Sequence, residues 1–139
     1  MQHIAFCDAS VNFHQVQCYY LIRYAAWNNY NCEFIIAEEA WTKNHVSGSI
    51  VDFAEEKAIN LAMSFSPFPK LIVSDSKNAI NRLQSRYRDI ALRWASRMEI
   101  GNRVAHLLTK HKAGAGYLAF NGCAPDDYSV GQWFDLIYN

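Results

Sequence analysis

The chain opens with short apolar runs separated by polar breaks, and its hydrophobic period changes near residue 49. Residues 3–9 (HIAFCDA) read as a strand ending in an acid. Residues 15–26 (QVQCYYLIRYAA) and 32–41 (CEFIIAEEAW) are rich in aromatic and β-branched types that suit a pleated sheet, and NNYN at 28–31 is the turn between them. These three segments predict an antiparallel meander. Over 49–65 the apolar residues Ala54, Ala58, Leu61, Ala62 and Phe65 recur at helical spacing, and SPFP stops the helix. KLIVSDS (70–76) is a compact strand ending in Asp75, followed by a helix over 77–88 with Ala79, Ile80, Leu83 and Tyr87 inward. A fifth strand is expected at 90–95 (IALRWA) and a last helix at 103–112, after the SRMEIGN connection. The order β-β-β-α-β-α-β-α predicts an α/β fold on a five-stranded mixed sheet, antiparallel in strands one to three, with strands four and five joined through helices. Beyond residue 113 the pattern loosens: AGAG is a break, NGCAPDDYS is loop chemistry, and VGQWFDLIYN fits a short helix or an edge strand.

Composition narrows the class. With 139 residues, 51% of them hydrophobic, the chain has room for one globular domain whose core needs no staples. A charged fraction of 19% without long like-charge runs argues against disorder, and no apolar stretch approaches the roughly 20 residues needed to span a bilayer. The opening MQHIAFCD lacks the basic leader and apolar core of a signal peptide, so a reducing, cytoplasmic setting is expected. Cys7, Cys18, Cys32 and Cys123 share no two-residue spacing, and three of them fall in apolar, β-like runs, which fits buried free thiols better than a zinc site.

Zero net charge hides an uneven distribution. Residues 1–69 carry three basic and seven acidic side chains, residues 70–112 carry ten basic and three acidic, and the remainder adds three acids. A basic half of this kind fits a phosphate-binding face, and equally a solvated helix surface.

Three acids stand where α/β sheets place ligands, at strand ends or on the helix beside them: Asp8 ends the first strand, Asp75 ends the fourth, and Glu55 opens the first helix. At about 100° per residue, Glu55 falls on the border of the apolar face, whereas Glu56 points away into water. Carboxylates gathered together repel one another unless a cation neutralises them, which makes such a cluster a natural site for Mg²⁺ or Mn²⁺. Taken singly, Asp8 and Asp75 also fit turn starts, and Glu55 fits a helix N-terminus.

In this order the segments resemble the ribonuclease H family over about residues 4–112, including its plant reverse-transcriptase-like relatives. The resemblance rests on IAFCDAS in the first strand, on AEEKAINLAM (54–63) with alanines three and seven residues after Glu55, and on LIVSDSKNAI (71–80), whose Asp-Ser strand end is the most specific. RWASRMEIGNRVAHLLTK (93–110) is similar to the family's last strand, loop and helix, where a fourth acid normally follows the small residue that is Ala105 here. In this chain that position is His106.

The resemblance implies a ribonuclease H-like domain over 1–112 with helices on both faces of the sheet, and a C-terminal extension, 113–139, packed on it. It implies catalytic and metal-holding roles for Asp8, Glu55, Asp75 and His106, with two Mg²⁺ or Mn²⁺ ions. It also implies nucleic-acid contacts from Ser10, Ser76, Lys77, Arg82, Arg97 and Asn102. Histidine ligates as a neutral imidazole and favours softer ions, so Mn²⁺ is expected to serve better than Mg²⁺. Ala9 replaces the family's glycine, and Val51, Asp52 and Phe53 replace its asparagine-rich, ribose-reading approach to the helix glutamate. The direct path into IALRWA leaves no room for a basic protrusion, part of whose work falls to Arg82, Arg86 and Arg88 or to none of them. Trp94 is expected in the core. The expected activity is endonucleolytic hydrolysis of the RNA strand of RNA/DNA hybrids by a monomer. The rivals are a silent nucleic-acid- or protein-binding module and a phosphodiesterase acting on DNA or structured RNA.

Overall fold

The computed structural model describes residues 3–15, 19–28, 33–46, 48–65, 68–110 and 116–119. Strand β1 (Ile4–Gln15) lies between β2 (Tyr19–Asn28), antiparallel to it, and β4 (Leu71–Ser74), parallel to it. Beyond β2 lies β3 (Glu33–Thr42), and beyond β4 lies β5 (Ala91–Trp94). These five strands, in the order β3-β2-β1-β4-β5, make the mixed sheet expected of a ribonuclease H-like layout. A sixth strand, β6 (Gly116–Ala119), pairs antiparallel with β3 and extends that edge.

Alternation along β1 builds two cores. Ala5 and Cys7 pack under α1 (Ile50–Ala62) and α2 (Lys77–Leu83), together with Ile22, Tyr24, Ala26 and Ile72. Phe6 faces the other way, where Ala25, Trp27, Phe34, Ile36 and Val73 meet Val104, Ala105 and Leu108 of α3 (Ile100–Thr109). Helices therefore cover both faces. The sheet-facing positions of α1 are Ala54, Ala58 and Ala62, all buried. Their small side chains let the helix lie close to the strands.

Each α-helix starts on a side-chain cap: Ser49 Oγ accepts from the Asp52 amide, Ser76 Oγ from Ala79, and a Glu99 carboxylate oxygen from Asn102. The Glu99 cap starts α3 three residues before the predicted 103, because Ile100, Gly101 and Asn102 form its first turn. Gly101 permits this close approach. A Cβ there would lie 2.3 Å from the Phe6 ring, and its carbonyl accepts the Trp27 indole N–H at 2.8 Å.

Other boundaries also move. The first strand continues through Gln15, well past the predicted residue 9, so Asp8 sits inside it and not at its end. Helix α2 stops at Leu83, earlier than 88. Cys7 is the buried free thiol expected, donating to the Val73 carbonyl at 3.5 Å; Cys18, Cys32 and Cys123 lie outside the described residues. Among the described residues no helix is long and apolar enough to cross a membrane.

Candidate metal centre

Parallel pairing brings two of the acids level. Phe6 of β1 pairs with Val73 of β4, and Asp8 and Asp75 each follow two residues later in their chains. Helix α1, held close to the sheet by its alanines, supplies Glu55 from its second turn. One ligand oxygen from each of Asp8, Glu55 and Asp75 lies within 4.8 Å of the others. Three elements far apart in sequence thus deliver three carboxylates to one point.

The environment disfavours their charges. Burial first, then the negative charges of Asp8 and Asp75, raise the Glu55 carboxyl far above the ordinary carboxylate range. Asp75 is raised by burial and by Asp8, while the Arg97 guanidinium pulls the other way. Glu55 Oε2 is buried and has no hydrogen-bond partner among the described residues. A buried, repelling set of hard oxygen donors with one orphaned atom fits a divalent cation, and this triad can hold one. Cys7 lies beneath, fully buried: burial, followed by the charges of Glu55, Asp8 and Asp75, raises its thiol well above the usual value.

His106 stands at the rim, outside the convergent group, with its side chain 47% exposed. Its Nδ1 is 2.9 Å from Asp8 Oδ2. At this distance a protonated Nδ1 donates to the carboxylate oxygen. Residue 106 is therefore neither a free surface residue nor one of the converging donors: it braces Asp8.

The proposed nucleic-acid contacts separate into groups. Lys77 and Arg97 stand beside the acids, Arg97 Nε lying 3.7 Å from Asp75 Oδ2 on a side chain that is mostly exposed. Such an exposed pair is weak and can be exchanged for another anion. Ser10 Oγ donates to the Thr109 carbonyl at 3.4 Å, fastening β1 to the end of α3, and Ser76 caps α2. Arg82 pairs with Glu56 at 3.5 Å. Glu56, expected to face water, has a side chain only 17% exposed because α2 packs beside α1 there. Asn102 is 2% exposed and donates to the Ala95 and Ser96 carbonyls at 3.0 Å each, so it organises the β5–α3 connection and offers a strand no surface.

Trp94 overturns its expected place in the core. It is 45% exposed on edge strand β5, its indole N–H donates to the Asp75 carbonyl at 3.0 Å, and Lys77 Nζ lies 4.4 Å from its ring centroid. No local sequence signal marked it: its place beside the acids comes from pairing in register with Ser74, the residue before Asp75. The basic residues of 70–112 do not share one face, since Lys77 and Arg97 flank the acids whereas Lys70, Arg86 and Arg88 line a pocket at the other end of β4.

No protein-family model matches the chain, and no curated protein matches it.

Proposed function

We propose that this protein is a metal-dependent endonuclease of the ribonuclease H type, hydrolysing the RNA strand of RNA/DNA hybrids with two Mg²⁺ or Mn²⁺ ions. The observation that carries the reading is the convergence of Asp8, Glu55 and Asp75 within 4.8 Å on a ribonuclease H-like sheet. Bound divalent metal would supply the Lewis acid that activates water and stabilises the leaving oxygen. The three carboxylates would hold the metal, and His106 fixes the Asp8 carboxylate through Nδ1. Lys77 and Arg97 offer positive charge for the flanking phosphates, and the exposed Trp94 ring offers a face for a base or sugar.

A second reading is a silent binding module on the same fold. It is favoured by His106, which stands where the family's fourth acid would and brings no negative charge to the triad. Cleavage of a labelled RNA/DNA hybrid, beside single-stranded RNA, duplex RNA and duplex DNA, decides between them. The nuclease reading expects hybrid cleavage in Mg²⁺ or Mn²⁺, reduced at least about a hundredfold in Asp75→Asn. No cleavage of any substrate, with hybrid binding retained, would establish the silent module.

A further inference from the structure

A pocket of about 380 Å³ opens at the end of β4 away from the acids. Its walls come from the end of α1 (Met63), the start of β4 (Phe68 and Lys70) and the α2–β5 connection (Arg86, Tyr87 and Arg88). Glu55 and Met63 are eight residues apart on one helix, or about 12 Å along its axis, so the pocket is separate from the metal centre.

Its walls are fixed. The Lys70 amide donates to the His3 carbonyl at 2.9 Å, and the Lys70 carbonyl accepts from Ala91 at 3.1 Å, holding the pocket's edge between β1 and β5. The Tyr87 hydroxyl donates to Asn60 Oδ1, tying the α2–β5 connection to α1. The volume falls within the ~300–1,000 Å³ typical of small-molecule sites.

The lining has two chemistries. Lys70, Arg86 and Arg88 are exposed, and none makes an ion pair among the described residues. One acid, Asp89, shares the rim, so the pocket keeps a positive excess. Beside these cations lie Met63, Tyr87 and Phe68, the last 66% exposed. Unpaired guanidinium groups select phosphate oxygens, and an aromatic wall adjoining them selects a planar group.

We propose that this pocket binds a nucleotide, its phosphate held by Lys70, Arg86 and Arg88 and its base lying against Phe68 and Tyr87. The proposal does not depend on the nuclease reading. The nucleotide can be free or can be the phosphorylated terminus of a strand, and the shared chemistry is a base with a phosphate.

Isothermal titration of the full chain in EDTA, with AMP, adenosine, inorganic phosphate and a 5′-phosphorylated oligoadenylate, tests it. AMP is expected to bind saturably, with adenosine and inorganic phosphate each weaker by roughly tenfold or more. The Arg86→Ala/Arg88→Ala double variant is expected to weaken AMP at least about tenfold, Phe68→Ala by about fivefold, and Asp75→Asn not at all. All three pocket residues are exposed, and unchanged thermal melts would confirm that the variants fold. Oligoadenylate binding tighter than AMP would identify a strand terminus, and equal binding a free nucleotide. The proposal is overturned if no probe saturates, if inorganic phosphate binds as well as AMP, or if the double variant binds AMP unchanged.

Discussion

His106 donates from Nδ1 to Asp8 Oδ2 across 2.9 Å, joining α3 to the middle of β1 over 98 residues of sequence. The bond braces Asp8 and brings no negative charge to the triad. His106→Asp would add a fourth negative group at the rim. We expect it to tighten divalent-metal binding by about tenfold, more for Mg²⁺ than for Mn²⁺, whereas His106→Ala weakens binding by about tenfold. Thermal shift against metal concentration reads both. Equal metal affinity in all three proteins would show that His106 has no part in the centre.

Glu55 links the centre to stability. Its folded-state pKa is raised by burial and by Asp8 and Asp75, so the metal-free folded protein holds a proton that the unfolded chain releases near pH 4.3. The folded state then binds more protons, and stability falls as pH rises above that value, by up to about 1.4 kcal/mol per pH unit for this group. Asp75 acts in the same direction. Urea unfolding in EDTA should show the metal-free protein losing stability from pH 5 to pH 8, with divalent metal opposing the loss. Glu55→Gln should flatten the slope, leave the metal-free protein more stable than wild type at pH 8, and remove most of the gain from metal. A steep slope persisting in Glu55→Gln would place the effect elsewhere.

Trp94 is held against the Asp75 carbonyl with Lys77 over its ring, beside the acids on an edge strand. If nucleic acid passes the triad, Trp94→Ala should weaken hybrid binding by about 1–2 kcal/mol, measured in Ca²⁺ by fluorescence anisotropy. Lys77→Ala should instead lower the slope of log affinity against log salt by about one ion. Unchanged affinity in both variants would place the strand on another surface.

Asn102 makes the opposite prediction. Buried, with its amide shared between the Ala95 and Ser96 carbonyls, it should contribute about 1–3 kcal/mol to folding, and Asn102→Ala should lower the denaturation midpoint accordingly. At temperatures where the variant is folded, its salt dependence of hybrid binding should equal that of wild type. A selective change in that dependence would return Asn102 to the substrate surface.

How far the sequence reached can be seen residue by residue. Asp8, Glu55 and Asp75 were legible as a set, through the order of the elements that carry them and the resemblance this order gives, while each taken singly also fitted a turn or a helix start. The unbroken apolar run Ala5, Phe6 and Cys7 fits a strand covered on both faces, as the resemblance implied. The length of β1 was hidden, because VNFHQ lacks a clean alternation and its strand conformation is fixed by pairing with β2.

The sequence by itself determined the order of elements and the acids they carry, since hydrophobic period and breakers act between near neighbours along the chain. Tertiary structure alone decided which side chains meet. It put Trp94 on an exposed edge, turned Glu56 to Arg82, buried Asn102, set His106 on Asp8 and added β6 to the edge of β3. The physical reason is the same for each. Exposure and pairing depend on strand order and on which helix covers which face, and those follow from contacts between residues dozens of positions apart, for which no local period carries a signal.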